Sequence, residues 1–203
     1  MIKTIVLALI FGLSASTAIA DLQTGIQAYQ NKHFQIAYNE LLPLAQQGSR
    51  RAQLYIGNMY YYGDGITKDL NQAKNWLQHA AERGSPLAQY QLGRIYEKGR
   101  GTQQDYHQAY HWYQQAASKG SKLAQYRLGV FFQQGLAVKA DPALALHWLH
   151  KAAEGGSIAA QLTLARSYQN GTGISKDPRQ AESWFQRLEA RGINRRNTYI
   201  VDL

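Results

Sequence analysis

The four tryptophans of the chain, Trp76, Trp112, Trp148 and Trp184, stand 36 residues apart. Other positions keep the same interval with no insertion or deletion. Gln53, Gln89, Gln125 and Gln161 head the block, and Tyr60, Tyr96, Phe132 and Tyr168 follow. Gly63, Gly99, Gly135 and Gly171 come next, then Asp69, Asp105, Asp141 and Asp177, and Gly84, Gly120, Gly156 and Gly192 close each unit. A fixed period of this length marks a tandem array in which each repeat is one helix pair that buries its apolar face only by stacking on its neighbours. The expected fold class is therefore all-α, a two-helix repeat solenoid. Arrays of this kind present extended binding surfaces and seldom enclose a catalytic pocket.

Within one period the residues divide the same way each time. In the first, Ser49 is placed to cap a helix from Arg50 to Tyr62, with Ala52, Ile56, Gly57 and Tyr60 on one face. Gly63-Asp64-Gly65 ends it, because glycine accepts the left-handed conformation of a helix C-terminal turn. Asp69 caps a second helix, and Gln72 three residues on gives capping-box spacing, repeated at Asp105/Gln108 and Asp177/Gln180. Pro142 and Pro178 take the first helical position, where a missing N–H does no harm. The second helix carries Ala73, Trp76, Leu77, Ala80 and Ala81 as one apolar stripe. The alanines let helix axes approach, and the tryptophan rings are expected to fill the gaps between units. Trp112, in an interior repeat, is expected in the core.

The ends depart from the period. Residues 1–20 read as a secretory signal peptide: Lys3, an uncharged run from Thr4 to Leu13, then Ala18-Ile19-Ala20 before Asp21. Cleavage after Ala20 would place the mature chain in the periplasm or outside the cell, with no stable membrane span left in it. Residues 21–49 form a degenerate N-terminal capping repeat in which His33 stands where the capping aspartate belongs and Glu40 where the tryptophan belongs. Four repeats occupy 50–193. In the last, Ala165 replaces the helix glycine and Leu188-Glu189 the Ala-Ala pair, which suits a C-terminal cap. The tail, 194–203, carries Tyr199, Ile200 and Val201 and is expected to dock in part over the last unit.

Charge and cysteine content narrow the function. The formal net charge is +9, or +8 once Lys3 leaves with the signal peptide. Beyond the inner membrane such a charge points away from nucleic acid and toward acidic protein surfaces, lipid headgroups or polyanionic envelope polymers. With no cysteine in the sequence, stability without disulfides must come from the repeat interfaces, and thiol catalysis and thiolate metal sites are excluded.

The pattern Ala-Gln-x-x-[Leu/Ile]-Gly-x-x-Tyr-x-x-Gly-x-Gly, followed by Asp, Ala, Trp, Ala-Ala and Gly, resembles the Sel-like repeat family, a relative of tetratricopeptide repeats. The likeness covers about residues 33–192, and the block from Ala88 to Gly120 is its cleanest unit. It implies a tetratricopeptide-like superhelix and an adaptor role: binding another protein, with inhibition of an exported toxin or envelope enzyme as a sharper form. The alternative is a cell-wall enzyme or ligand binder akin to the cysteine-rich, β-lactam-hydrolysing branch. That activity is not carried over, since the defining cysteines are missing.

In tetratricopeptide-like units the first helix lines the concave face. Carried over by position, that implies a groove formed by Arg51, Leu54, Asn58, Tyr61 and Tyr62 in the first unit. The second contributes Leu87, Tyr90, Arg94, Glu97 and Lys98, the third Leu123, Tyr126, Val130, Gln133 and Gln134, and the fourth Leu162 and Arg166 among others. Tyrosine and arginine are the residue types most often found as interface anchors. No catalytic constellation accompanies them. His107 and His111 share a helix face, with His147 one period later, but lack the glutamate of a metalloprotease motif and read as a solvated outer face. No Gly-x-Ser-x-Gly occurs, and the Gly-x-Gly pairs follow helices rather than strands, so they are turns and not phosphate loops. No cofactor and no metal are expected.

Overall fold

A computed structural model of the protein describes residues 21–194. Among these are ten helices and no strands: α1 over 21–30, then α2 (Phe34–Gln46), α3 (Arg50–Tyr62), α4 (Leu70–Glu82), α5 (Pro86–Lys98), α6 (Tyr106–Ser118), α7 (Lys122–Gln134), α8 (Pro142–Glu154), α9 (Ile158–Asn170) and α10 (Pro178–Glu189). The protein is an all-α, two-helix repeat solenoid. The expected signal peptide and all of the tail beyond Asn194 lie outside the described residues.

Helix starts are set by the residues the period singles out. Ser49, Ser85, Ser121 and Ser157 cap the first helices, each hydroxyl accepting from the backbone N–H three residues on. The four recurring aspartates cap the second helices, with carboxylate oxygens 2.9–3.1 Å from the N–H groups two or three residues on. The reciprocal arm of a capping box takes a different form. The N–H of Asp69 donates to the carbonyl of Tyr60, and Asp105, Asp141 and Asp177 do the same to Tyr96, Phe132 and Tyr168. The aspartate thus ties the second helix to the last turn of the first, and Gln72 has no need to reach back. Each first helix ends on a left-handed glycine, Gly63, Gly99, Gly135 or Gly171.

The glutamine that heads each repeat has an equally periodic role. Gln53, Gln89, Gln125 and Gln161 are buried, and each side-chain amide donates to the carbonyl of Ala45, Ala81, Ala117 or Ala153 at 2.8–3.3 Å. Those carbonyls lie at the C-terminal end of the preceding helix, where backbone acceptors lack helical partners. One side chain per repeat therefore caps one helix from the next.

The described residues form two compact units: 21–95 with Gly99–Gln103, and Tyr96–Lys98 with 104–194. In the first, Ile26, Ala28, Ala37, Leu41, Ala45, Ala52, Ile56 and Met59 form the core, with Trp76 partly buried at its edge. The N-terminal repeat proves to be a full helix pair. Gly25 lies against Leu41 as Gly57 lies against Leu77, with room for no Cβ at either (contacts of 2.7 Å). Gly25 precedes Gly57 by 32 residues rather than 36, because the α1–α2 loop has three residues where the α3–α4 loop has seven. His33 makes no side-chain cap. Tyr38 and Tyr60 share a hydroxyl–hydroxyl bond of 3.1 Å, which together with burial pushes the Tyr60 phenol up to about 12.

In the second unit Leu149, Ala152, Ala160, Leu164, Trp184, Phe185 and Leu188 build the core, with Tyr126, Leu146, Tyr168 and Ile193 packed against it. His150 bonds the Tyr168 hydroxyl at 3.1 Å and packs on Trp184, and burial holds its imidazole below the usual value. The tryptophans correct the sequence expectation. Trp184 is buried, but Trp76, Trp112 and Trp148 are only half-buried. The fully buried ring of the second repeat is Tyr113, in the column held elsewhere by Leu77, Leu149 and Phe185.

Candidate functional site

The first helices differ from the second in charge. In the four repeats α3, α5, α7 and α9 carry seven lysines and arginines against one glutamate, Glu97, while α4, α6, α8 and α10 carry four of each sign. Helix formation places no demand on this asymmetry, since both sets have similar lengths and a side-chain oxygen capping each N-terminus.

In the first unit, Tyr61 and Tyr62 at the end of α3 and Gln91 and Arg94 on α5 line a shallow pocket floored by Leu77. Tyr62 is 56% exposed. Its ring meets that of Tyr61 edge-on at 4.9 Å. Arg100, from the loop after α5, donates to the Tyr61 hydroxyl and lies 5.7 Å from the centre of its ring. Arg94 lies 5.9 Å from the centre of the Tyr90 ring. The side-chain oxygens of Asn58 and Gln91 are buried and accept no hydrogen bond.

In the second unit the Glu97 carboxylate is 6% exposed and fully engaged. It accepts from Tyr113 at 2.6 Å and from both Nε and a terminal nitrogen of Arg127. Burial lowers the Arg127 pKa, but the charge and hydrogen bond of Glu97, with the Tyr113 and Tyr126 hydroxyls, together outweigh it and raise it. Lys98 sits 3.7 Å from the same carboxylate and half-exposed.

These positions sort the expected groove residues. Arg51, Tyr62, Lys98, Gln134 and Arg166 are exposed, and Asn58, Tyr61, Arg94 and Tyr126 are half-buried. Tyr90 is 7% exposed, so its ring backs Arg94 and is not itself an anchor. Leu54 and Leu162, at the offset of Tyr90, are buried in the same way, and Val130 is buried although it shares the offset of Arg94 and of exposed Arg166. Glu97 is consumed by Arg127. Tyr126 packs mainly on the core of its unit. Two residues of the first unit's site, Gln91 and Arg100, were not among the expected positions. The signal that finds Gln91 is the pair Glu97/Arg127: the offsets of its members within the period are those of Tyr61 and Gln91. His107, His111 and His147 are exposed. Among the described residues no three histidine, aspartate or glutamate side chains cluster as metal ligands would, and no helix is long and apolar enough to cross a membrane.

The Sel1 repeat family profile matches residues 50–85, 86–121, 122–157 and 158–192. The chain is similar to the crystal structure of a Sel1 repeat protein from Oxalobacter formigenes, at 32% identity and a TM-score of 0.76, over 84% of this chain and 70% of that one. It is also similar to c5321, a protective antigen of uropathogenic Escherichia coli strains with an SLR fold, at 29% identity and a TM-score of 0.81. That likeness covers 90% of this chain but only 40% of the antigen. Helicobacter pylori cysteine rich protein B, at 20% identity and a TM-score of 0.51 over 63% of this chain and 92% of that one, shares the fold. No curated protein matches the chain.

Proposed function

The chain belongs to the Sel1 repeat family, whose members generally mediate protein–protein interaction and are typically not catalysts, and from that premise we propose that it binds one acidic protein partner through the faces of its first helices. The observation that carries this reading is the charge asymmetry: seven basic side chains against one glutamate that Arg127 already neutralises, on helices that also present exposed Tyr62. Complementary charge speeds encounter, and a few desolvated tyrosine and arginine side chains supply most of the affinity. Alanine at Tyr62 or Arg94 is expected to weaken partner binding by about 2 kcal/mol or more, while alanine at His107 or His111 leaves it unchanged. Calorimetric titration of the partner recovered with the full chain reads both effects. Equal losses at both sets of positions would count against the first-helix face.

The proposal extends to the compartment. The apolar run and Ala18-Ile19-Ala20 are the grounds for export. N-terminal sequencing of the protein from its native host should begin at Asp21; an intact Met1 on soluble cytoplasmic protein would contradict export. In that setting an inhibitor of an exported toxin or of an envelope enzyme is the sharper form of the adaptor role, and a toxin or effector gene adjacent to this one would support it.

A further inference from the structure

The repeat supplies its own template for a ligand. The five residues that line the first unit's pocket are Tyr61, Tyr62, Leu77, Gln91 and Arg94. One period later the same five offsets hold Glu97, Lys98, Tyr113, Arg127 and Val130. In that second set a glutamate side chain is gripped by the Arg127 guanidinium and the Tyr113 hydroxyl, with Lys98 beside it. The first set has no carboxylate. At the offset of Glu97 it has Tyr61, whose hydroxyl is bonded by Arg100. The two groups that grip Glu97 are not repeated, since Leu77 stands at the offset of Tyr113 and Gln91 at that of Arg127. The donors come instead from Arg94, with no acidic partner among the described residues, from the amide of Gln91, and from the hydroxyl of exposed Tyr62 at the offset of Lys98. The two guanidinium groups of Arg94 and Arg100 flank Tyr61 from different segments, α5 and the loop that follows it.

We propose that the pocket of Tyr61, Tyr62, Gln91 and Arg94 binds an aspartate or glutamate side chain of an acidic peptide segment, in the role that Glu97 fills internally one repeat later. The site rests on the reading of the first helices as a protein-binding face and names the group that the face recognises. An arginine fork matches the two oxygens of a carboxylate, and such bonds are stronger than neutral ones. The partner supplies the charge that this repeat lacks. A side-chain carboxylate is the source, rather than a chain terminus, because the occupant of the sister site is itself a side chain.

The test needs no knowledge of the natural partner. The full chain is titrated by NMR or calorimetry with an N-acetylated, C-amidated triglutamate peptide and with its triglutamine counterpart. Saturable binding of the first and none of the second is expected. R94Q should weaken binding roughly tenfold or more, as loss of a charge-assisted bond does. K139Q, with the same charge change on an exposed loop, should leave it within about twofold. Y61E, which places a carboxylate at the offset of Glu97, should block the peptide while circular dichroism stays that of the parent protein. Equal losses in R94Q and K139Q would reduce the effect to bulk charge and overturn the site. So would undiminished binding by Y61E. A neutral peptide whose only carboxylate is its free C terminus should not compete; if it binds as well as triglutamate, the side-chain assignment is wrong. If triglutamate fails to bind while Tyr62 and Arg94 still govern capture of the natural partner, the pocket assignment falls and the protein-binding face stands.

Discussion

Gly101 and Gly173 occupy the same offset two periods apart, both with left-handed backbone, at φ of 70° and 76°. Backbone alone does not make glycine obligatory there, because Ala137 holds the corresponding place in the third repeat at φ 60°. What differs is the space. A Cβ on Gly101 would stand 2.6 Å from the Leu70 Cβ and 2.9 Å from Leu70 backbone atoms, whereas one on Gly173 meets nothing within 4 Å. The reason lies at the start of the preceding second helix: the loop of Gly101 presses on the Cβ and backbone of Leu70, while the loop of Gly173 stands off Pro142 across an apolar hollow lined by Leu146, Leu149, Leu164 and Ile174. Gly101→Ala should therefore destabilise by about 3 kcal/mol or more, combining conformational strain with overpacking. Gly173→Ala should cost only about 1 kcal/mol. Denaturant unfolding of the two variants reads the difference, and equal losses would show that Leu70 is not the obstacle. The turn glycines were legible in the sequence, but the asymmetry between them was not, since it depends on how closely each loop approaches the start of the preceding second helix.

At the level of the helix pair, the period marks equivalent positions without saying how deep each one lies. Ser49 and Tyr62 gave the limits of α3 correctly, because a serine cap and a left-handed glycine are local chemistry. The recurrent tryptophan misled, because a residue can repeat on a half-exposed shoulder as faithfully as in a core. Trp112 is half-buried, while Tyr113 is fully buried and donates to Glu97 at 2.6 Å. Tyr113→Ala should cost about 3–5 kcal/mol, as large aromatic core truncations do. Tyr113→Phe should lose about 1.5–3 kcal/mol through its bond to a buried carboxylate, and Trp112→Ala about 1–3 kcal/mol in proportion to its partial burial. Thermal or chemical unfolding orders the three; a Trp112→Ala loss exceeding that of Tyr113→Ala would reverse the assignment. The buried glutamines were visible as a column, but their partner carbonyls were not, because an acceptor on the backbone leaves no trace in residue identity. The helix α1 was hidden for another reason: a loop four residues shorter breaks the spacing that revealed the rest.

For the whole molecule, the family and the helical repeat were legible because so many spaced positions agree. The binding face was legible only in outline. Its charge can be counted from the sequence, but which of its residues are free to meet a partner depends on pairings such as Glu97 with Arg127 and on burial such as that of Tyr90. In the first unit the side chains left at the surface are Arg51, Tyr61, Tyr62 and Arg94, and in the second Lys98 and Gln134. The most direct test of this account is site-specific photocrosslinking in the native host, with a photoreactive amino acid placed at Tyr62 in one full-length variant and at His111 in another. A discrete protein adduct from position 62 and none from position 111 is the expected result. A discrete adduct from position 111 with none from position 62 would contradict the assignment of function to the first-helix face.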